Sequence, residues 1–261
     1  MNKLELEMVD LLINLKVRHG AVEVKAEFEA EASRINELMR LKEIACKADL
    51  GLVIKIGGAE AITDMFEAEH IGVTGLIAPM IESGYAMKKF IEAVKKYFAE
   101  DLRKNIHFGV NIETIQGFKN LKDILGENSE RLVDGITLGR VDMIGSFGLG
   151  RNDINSKKMF EIAKQILTVA KKNRLRTTMG GGITVEAIPF IQRLVAKKLL
   201  DCFETRKIVF NLVSGLTSID EGLIKANKFE LLWLENKRNY YSSIFHEDDS
   251  RIEMVKKRII K

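Results

Sequence analysis

An alternation restricts the fold of this chain more than any other feature. Short, apolar, β-rich runs are separated by longer amphipathic segments, with no hairpin turn between neighbouring runs. The runs are AVEVKAEFE (21–29), GLVIKIGG (51–58), VTGLIAPMIES (73–83), IHFGVNIET (106–114), DGITLGRVD (134–142), RTTMGGGIT (176–184) and DCFETRKIVF (201–210). Between them, segments such as RINELMRLKEIACKA and MFEIAKQILTVAKKN repeat apolar residues at i, i+3, i+4 and i+7, the period of a helix with one buried face. Strands joined through helices pair in parallel, and near-continuous apolar runs are buried on both faces. The pattern predicts an α/β fold, a TIM-type (β/α)8 barrel. Seven strands are read and an eighth is short or missing, which leaves an incomplete barrel or an open doubly wound sheet as alternatives.

A length of 261 residues suits one barrel, a fold of about 250 residues. With two prolines and no Ser/Gly-rich linker, the chain reads as a single domain over residues 1–261. From about Thr217 the pattern turns wholly helical. Residues 217–261 read as two helices broken near His246 to Ser250, with Leu231, Leu232, Trp233, Leu234 and Tyr240 forming an apolar face. A tail outside the barrel's own helices is expected to pack on a second copy, making a homo-oligomer. The 41 basic and 37 acidic residues leave a charge of +4 without a basic stripe, which argues against nucleic acid as a partner. A charged, periodic N-terminus and the lack of any apolar run of about 18 residues argue against a membrane and for a soluble cytoplasmic protein. Cys46 and Cys202 lie far apart without CxxC spacing and read as buried thiols of a reducing compartment.

In a parallel barrel the C-terminal strand ends and the loops beyond them form the active face, so polar residues that close an apolar run are the ones to weigh. They are Glu27 and Glu29, Lys55, Asn111 with Glu113, Asp142, and the glycines Gly180 to Gly182. Glu113 and Asp142 close consecutive strands and would stand side by side. Two like charges at that spacing raise a pKa unless a cation lies between them. Hard oxygen ligands, only two of them from protein, describe Mg²⁺ or Mn²⁺ better than a closed zinc cage. The competing reading is that Glu113 or Thr114 merely caps the following helix. Gly180 to Gly182 could cradle a phosphate or simply turn the chain, and Glu82 and Ser83 either point into the site or, the favoured reading, cap the helix beginning at Gly84. Period two puts Glu204 and Arg206 on one strand face, as a buried ion pair or as substrate contacts. His19, His70 and His107 fall outside the rim.

NIETIQGFKNLKDIL followed by DGITLGRVDMIGSFGLG resembles the paired metal-binding segments of the HpcH/HpaI aldolase and citrate lyase β-subunit family. The stretch IKIGGAEAITDMFEAEHIGVTGLIAPMIESGYAMKKFIEAV is similar to that family's substrate-binding strand and the segment after it, and AEFEAE resembles a third strand end. The likeness spans roughly residues 21–150 and is most specific over 106–150. It implies a barrel, an Mg²⁺-dependent site, and C–C bond formation or cleavage through the enolate of a 2-oxo acid or an acyl-CoA. By position it makes Glu113 and Asp142 the metal ligands, sets Asn111 toward substrate, and faces the backbone of Gly139 and Arg140 to the substrate carboxylate. The chain departs from the pattern at Lys55, where the family has Arg, and at Ala30, where the aldolase branch has a His base.

The expected activity is therefore a metal-dependent C–C lyase or aldolase working on a small anionic substrate of the 2-oxo acid class. Lys55 would neutralise or orient that anion, and Glu27, Glu29 or a metal-bound water would move the proton. A Schiff-base role for Lys55 is the alternative chemistry. The alternative functions are a phosphometabolite barrel enzyme and a non-catalytic, oligomeric binding protein.

Overall fold

The computed structural model describes residues 1–212 and 218–259. Eight strands close into one barrel: β1 (Ala21–Glu27), β2 (Gly51–Lys55), β3 (Gly75–Ala78), β4 (His107–Ile112), β5 (Gly135–Gly139), β6 (Arg176–Gly180), β7 (Cys202–Glu204) and β8 (Ile208–Asn211). The helices are α1 (Lys3–His19), α2 (Ile35–Lys47), α3 (Ile62–Ile71), α4 (Gly84–Tyr97), α5 (Glu100–Arg103), α6 (Ile115–Lys119), α7 (Leu121–Gly126), α8 (Arg140–Ser146), α9 (Lys157–Lys172), α10 (Ile188–Ala196) and α11 (Ile219–Ile259). The barrel is thus closed, and the open-sheet and incomplete-barrel alternatives fall away.

The eighth strand was hidden inside the seventh run. DCFETRKIVF is two strands, with β7 and β8 paired antiparallel and β8 also antiparallel to β1, while every other neighbouring pair is parallel. The turn between them is closed by the Thr205 amide donating to the Ile208 carbonyl at 2.9 Å and the Ile208 amide donating to Thr205 Oγ1 at 3.1 Å. Its central residues, Arg206 and Lys207, include neither the Gly nor the Asn that usually betrays a two-residue hairpin. A reading of uninterrupted parallel pairing is corrected at this one place.

The principal core lies between the barrel and its helices. Val24, Ala26, Leu52, Ile54, Leu76, Phe108, Val110, Ile136 and Leu138 point outward from the strands into it and are buried. The period of two turns the alternate residues inward, and there the chain is polar: Glu23, Lys25 and Glu27 share the inner face of β1. Only a small apolar plug of Val53, Ile77, Cys202 and Val209 separates the two ends of the lumen.

Two other expectations change. The tail is one helix, α11, unbroken from Ile219 to Ile259. It holds no Gly or Pro after Gly222, and Ser250 stays helical by donating its hydroxyl to the His246 carbonyl four residues back at 3.1 Å. Its start at Thr217 and its last two residues lie outside the described residues. The first half packs along α1 through Leu223, Ala226, Phe229, Leu232 and Trp233, whereas Leu231, Leu234 and Tyr240 are exposed. Cys202 is a buried free thiol, but Cys46 is exposed, because α2 buries Leu38, Leu41, Ile44 and Ala45 and turns residue 46 away.

Candidate active site

A cavity of about 460 Å³ opens at the C-terminal end of the parallel strands. Strand ends deliver its side chains: Glu27 closes β1, Lys55 closes β2, Asn111 lies in β4 with Glu113 one residue past it, and Glu204 closes β7. Asp142 sits in the first turn of α8, three residues after β5 ends. Thr114 caps α6 by accepting from the Gly117 amide at 3.1 Å, and Ser83 caps α4 in the same way. Capping therefore falls to Thr114 and leaves Glu113 free to face the cavity.

Glu113 is almost wholly buried, at 2 % exposure. Its Oε1 accepts from the Met80 amide at 3.0 Å and its Oε2 from the Asn111 side-chain amide at 3.1 Å. Burial pushes its pKa up and the Asp142 charge adds to this, outweighing Lys55 and the two hydrogen bonds. Asn111 Oδ1 is buried and without a hydrogen-bond partner. Gly139 provides the space: a Cβ there would stand 2.3 Å from Glu113 Oε2.

The opposite wall is a chain of alternating charges. Lys25 Nζ lies 2.5 Å from Glu204 Oε1 and 3.0 Å from Glu27 Oε1. Glu27 Oε2 is 3.5 Å from Lys55 Nζ and 3.4 Å from Arg206 Nη1, and Lys55 pairs again with Glu29 at 2.5 Å. Burial alone would lower the Lys55 pKa, but Glu27, Glu29 and Glu113 together raise it, so Lys55 is a protonated ammonium at neutral pH. Glu27 is held below the ordinary carboxylate range: burial acts upward, and the cations of Lys25, Lys55 and Arg206 overcome it. Glu204 and Arg206 thus belong to this network through separate partners and do not pair with each other.

Among the residues singled out from the sequence, Lys55, Glu27, Glu29, Asn111, Gly139, Glu113 and Asp142 all line this one cavity, as does Ala30. Arg140 does not. Its guanidinium is fully buried behind the wall, donating to the carbonyls of Gly181 and Gly182 at 2.9 and 3.0 Å and to Asn155 Oδ1 at 2.8 Å. Burial without a carboxylate partner brings its pKa down to about 10. Its backbone is covered as well: Gly181, at φ +79°, packs so close that a Cβ would lie 2.9 Å from the Arg140 nitrogen. The glycines accordingly serve a tight turn anchored by Arg140. His107 lies at the far end of the lumen, paired with Glu23 at 2.6 Å, and His70 lies in the last turn of α3, both off the rim as expected.

Lys25, Thr137, Arg151, Asn227 and Glu230 also line the cavity and escaped the sequence reading. The signal for Lys25 was present, since period two in VEVKAE sets it inward between two glutamates. Asn227 and Glu230 reach the mouth because β8 runs downward and α11 must climb back toward it, which no local pattern announces.

Two carboxylates and an unpartnered amide oxygen suit a hard divalent ion completed by water or substrate. Among the described residues no group of three His, Cys, Asp or Glu side chains is arranged to hold a metal, so a closed protein cage is not built. The loop after β7 is only the Arg206–Lys207 turn, and β8 begins at the mouth instead of ending there. Among the described residues, therefore, no long loop of the kind that commonly binds phosphate follows strand seven, and strand eight does not end at the mouth, which weighs against the phosphometabolite reading.

Fold and site together define a (β/α)-barrel protein of TIM type with a carboxylate-rich mouth. The family profile described as HpcH/HpaI aldolase/citrate lyase matches residues 15–179, and the chain belongs to that family. No curated protein sequence matches it. Among solved structures it is similar to an HpcH/HpaI aldolase from Desulfitobacterium hafniense DCB-2, at 13% identity and TM-score 0.61 over 76% of this chain and 81% of that one. It is likewise similar to citrate synthase SbnG, at 15% identity and TM-score 0.62 over 89% and 90%. A family protein from Burkholderia cenocepacia J2315 follows at 16% identity and TM-score 0.58 over 72% and 80%. An aldolase or citrate-lyase type of function accords with this membership. Among the described residues no helix is long and apolar enough to cross a membrane.

Proposed function

We propose that this chain is a divalent-metal-dependent carbon–carbon lyase or aldolase acting through the enolate of a 2-oxo acid. The observation that carries the reading is Glu113, a buried carboxylate with a raised pKa, set beside Asp142 and the unpartnered Asn111 Oδ1 at the mouth of the barrel. Glu113 and Asp142 would hold Mg²⁺ or Mn²⁺, with Asn111 as a further oxygen donor. A bound ion would supply Lewis acidity at the substrate's keto oxygen, the electron sink that C–C cleavage needs.

The chain's own groups account for the rest. Glu27, held below the ordinary carboxylate range by three cations, is a weak base and orders the wall, which leaves Glu29, with its single cation partner, placed to accept the proton. Lys55, protonated between those two glutamates, serves as an electrostatic post and does not form an imine. Gly139 keeps the substrate's approach to Glu113 open. The exposed half of α11 supports a homo-oligomer, and the unpaired thiols of Cys46 and Cys202 support a cytoplasmic setting.

The test is proton exchange at C-3 of pyruvate in D₂O, followed by NMR. With millimolar Mg²⁺ or Mn²⁺ the methyl signal should disappear, and chelator or the Glu113→Gln substitution should prevent it. A protein that stays folded and catalyses no exchange with either ion overturns the proposal.

A further inference from the structure

Away from the mouth, α1, α2 and α11 enclose a second cavity of about 470 Å³, a size common for small-molecule sites, and the two cavities share no residue. A polar network frames it and ties the three helices together. Glu5 of α1 accepts a forked pair from Arg40 of α2, Nε at 3.0 Å and Nη2 at 2.6 Å, and Asn236 Oδ1 of α11 accepts from the Asn2 side chain at 2.6 Å. On the other side, Glu37 of α2 accepts from the Tyr241 hydroxyl at 2.6 Å and lies 3.8 Å from Lys237 Nζ, both on α11. Glu5, Glu37 and Asn236 are buried, and each of the two acids has its base.

The groups left unanswered are all neutral. Among the described residues the side-chain amides of Asn36 on α2 and Asn239 on α11, which border the cavity, have no hydrogen-bond partner. The indole N–H of Trp233 has none either, although Trp233 is only 5 % exposed. A buried Trp N–H ordinarily finds an acceptor. Trp233 and Tyr240 also give the lining two aromatic rings. A ligand suited to these walls carries no net charge, has flat apolar faces, and presents donors and acceptors at its edge. An Asn amide offers a donor and an acceptor side by side, the pattern that pairs with the N6 and N7 edge of adenine. A sugar fits less well, because the carboxylates and guanidinium that would hold its hydroxyls are spent on one another.

We infer that this cavity is a second ligand site and that it takes an uncharged purine base or its nucleoside. The base lies against Trp233 and Tyr240, and its edge is read by the amides of Asn36 and Asn239 from opposite helices. Binding there draws α2 and α11 together without touching the carboxylates of the mouth.

Trp233 is the only tryptophan in the chain, so its fluorescence reports on this cavity. Titration with adenosine should change that emission saturably, with a Kd below about 1 mM. Asn36→Leu and Asn239→Leu should each weaken binding by about tenfold, the loss expected for one neutral hydrogen-bonding group. Both positions are exposed, so the substitutions should leave the fold intact. Asn239→Asp, equal in size but without the amide donor, should lose as much, which a mere packing contact would not. Calorimetric titration detects a complex that leaves the emission unchanged. The inference is overturned if adenosine binds by neither method, if all three variants bind it as wild type does, or if maltose or AMP binds more tightly than adenosine.

Discussion

Lys55 Nζ lies 2.5 Å from Glu29 Oε2 and 3.5 Å from Glu27 Oε2, so its charge is matched inside the cavity wall. Replacing it leaves Glu29 without its cation and Glu27 with two of its three. Lys55→Met should cost about 3 kcal/mol in chemical denaturation, while Lys55→Arg, which keeps the charge, should lose far less. Borohydride added with pyruvate should leave the protein mass unchanged, and an adduct mapping to Lys55 would restore the imine mechanism.

Glu113 gives a prediction with a definite sign. Its folded pKa lies above the ordinary 4.5, so the stabilisation it contributes is complete below about pH 4.5 and is lost as pH rises through the folded value. At neutral pH the buried ion therefore weakens the metal-free fold. Glu113→Gln should raise the melting temperature of metal-free protein at pH 7, with Asn111 free to turn its unpartnered oxygen toward the new amide. Wild type should gain stability from millimolar Mg²⁺ as RT ln(1 + [L]/Kd), and the variant should not. Equal gains in both proteins would remove Glu113 from the metal site.

Glu27 has the opposite sign. Its folded pKa is depressed, so its contribution is present above pH 4.5 and disappears as pH falls through the folded value. Thermal scans from pH 6 down to pH 3 should show a steeper loss in wild type than in Glu27→Gln. Parallel curves would mean that the charge network adds nothing to acid stability.

Arg140 should behave as a positioning residue. Arg140→Met removes four hydrogen bonds from carbonyl and amide oxygens and should destabilise by about 3 kcal/mol. Limited proteolysis should then cut near residues 148–156 well before the rest of the fold, a selectivity that general destabilisation alone would not produce.

The two halves of α11 should separate on truncation. Ending the chain after Asn239 keeps the part buried against α1 and removes the exposed Phe245, Ile252 and Val255, so it should give a folded barrel of smaller assembly size by light scattering. Ending it after Leu212 uncovers the α1 face and should give aggregation. A full-length chain that is monomeric would dispose of the oligomer.

Much of the fold was legible because two periods alternate cleanly along the chain. Strand runs such as GLVIK and helix segments such as α9 sit where periodicity puts them, and Glu113, Asp142 and Lys55 converge because parallel strands all end on one face. What escaped notice arose from tertiary context. The β7–β8 turn has no glycine, Arg140 looks like a rim residue until the packing of Gly181 covers it, and Asn227 and Glu230 reach the cavity only because the last strand runs backwards.

That reversed strand also changes how the barrel can close. β7 and β8 pair across a two-residue turn, so the last strand finds its partner locally and early, on the microsecond scale typical of hairpins. The one seam that must join distant parts of the chain is β8 against β1, Ile208 to Val24 and Phe210 to Ala21, with its register broken between Ala21 and Glu23. The entropic cost of ring closure therefore falls largely on that seam. The slow step of closing the ring is accordingly expected at that seam, on the side of the barrel away from the Glu113–Asp142 pair.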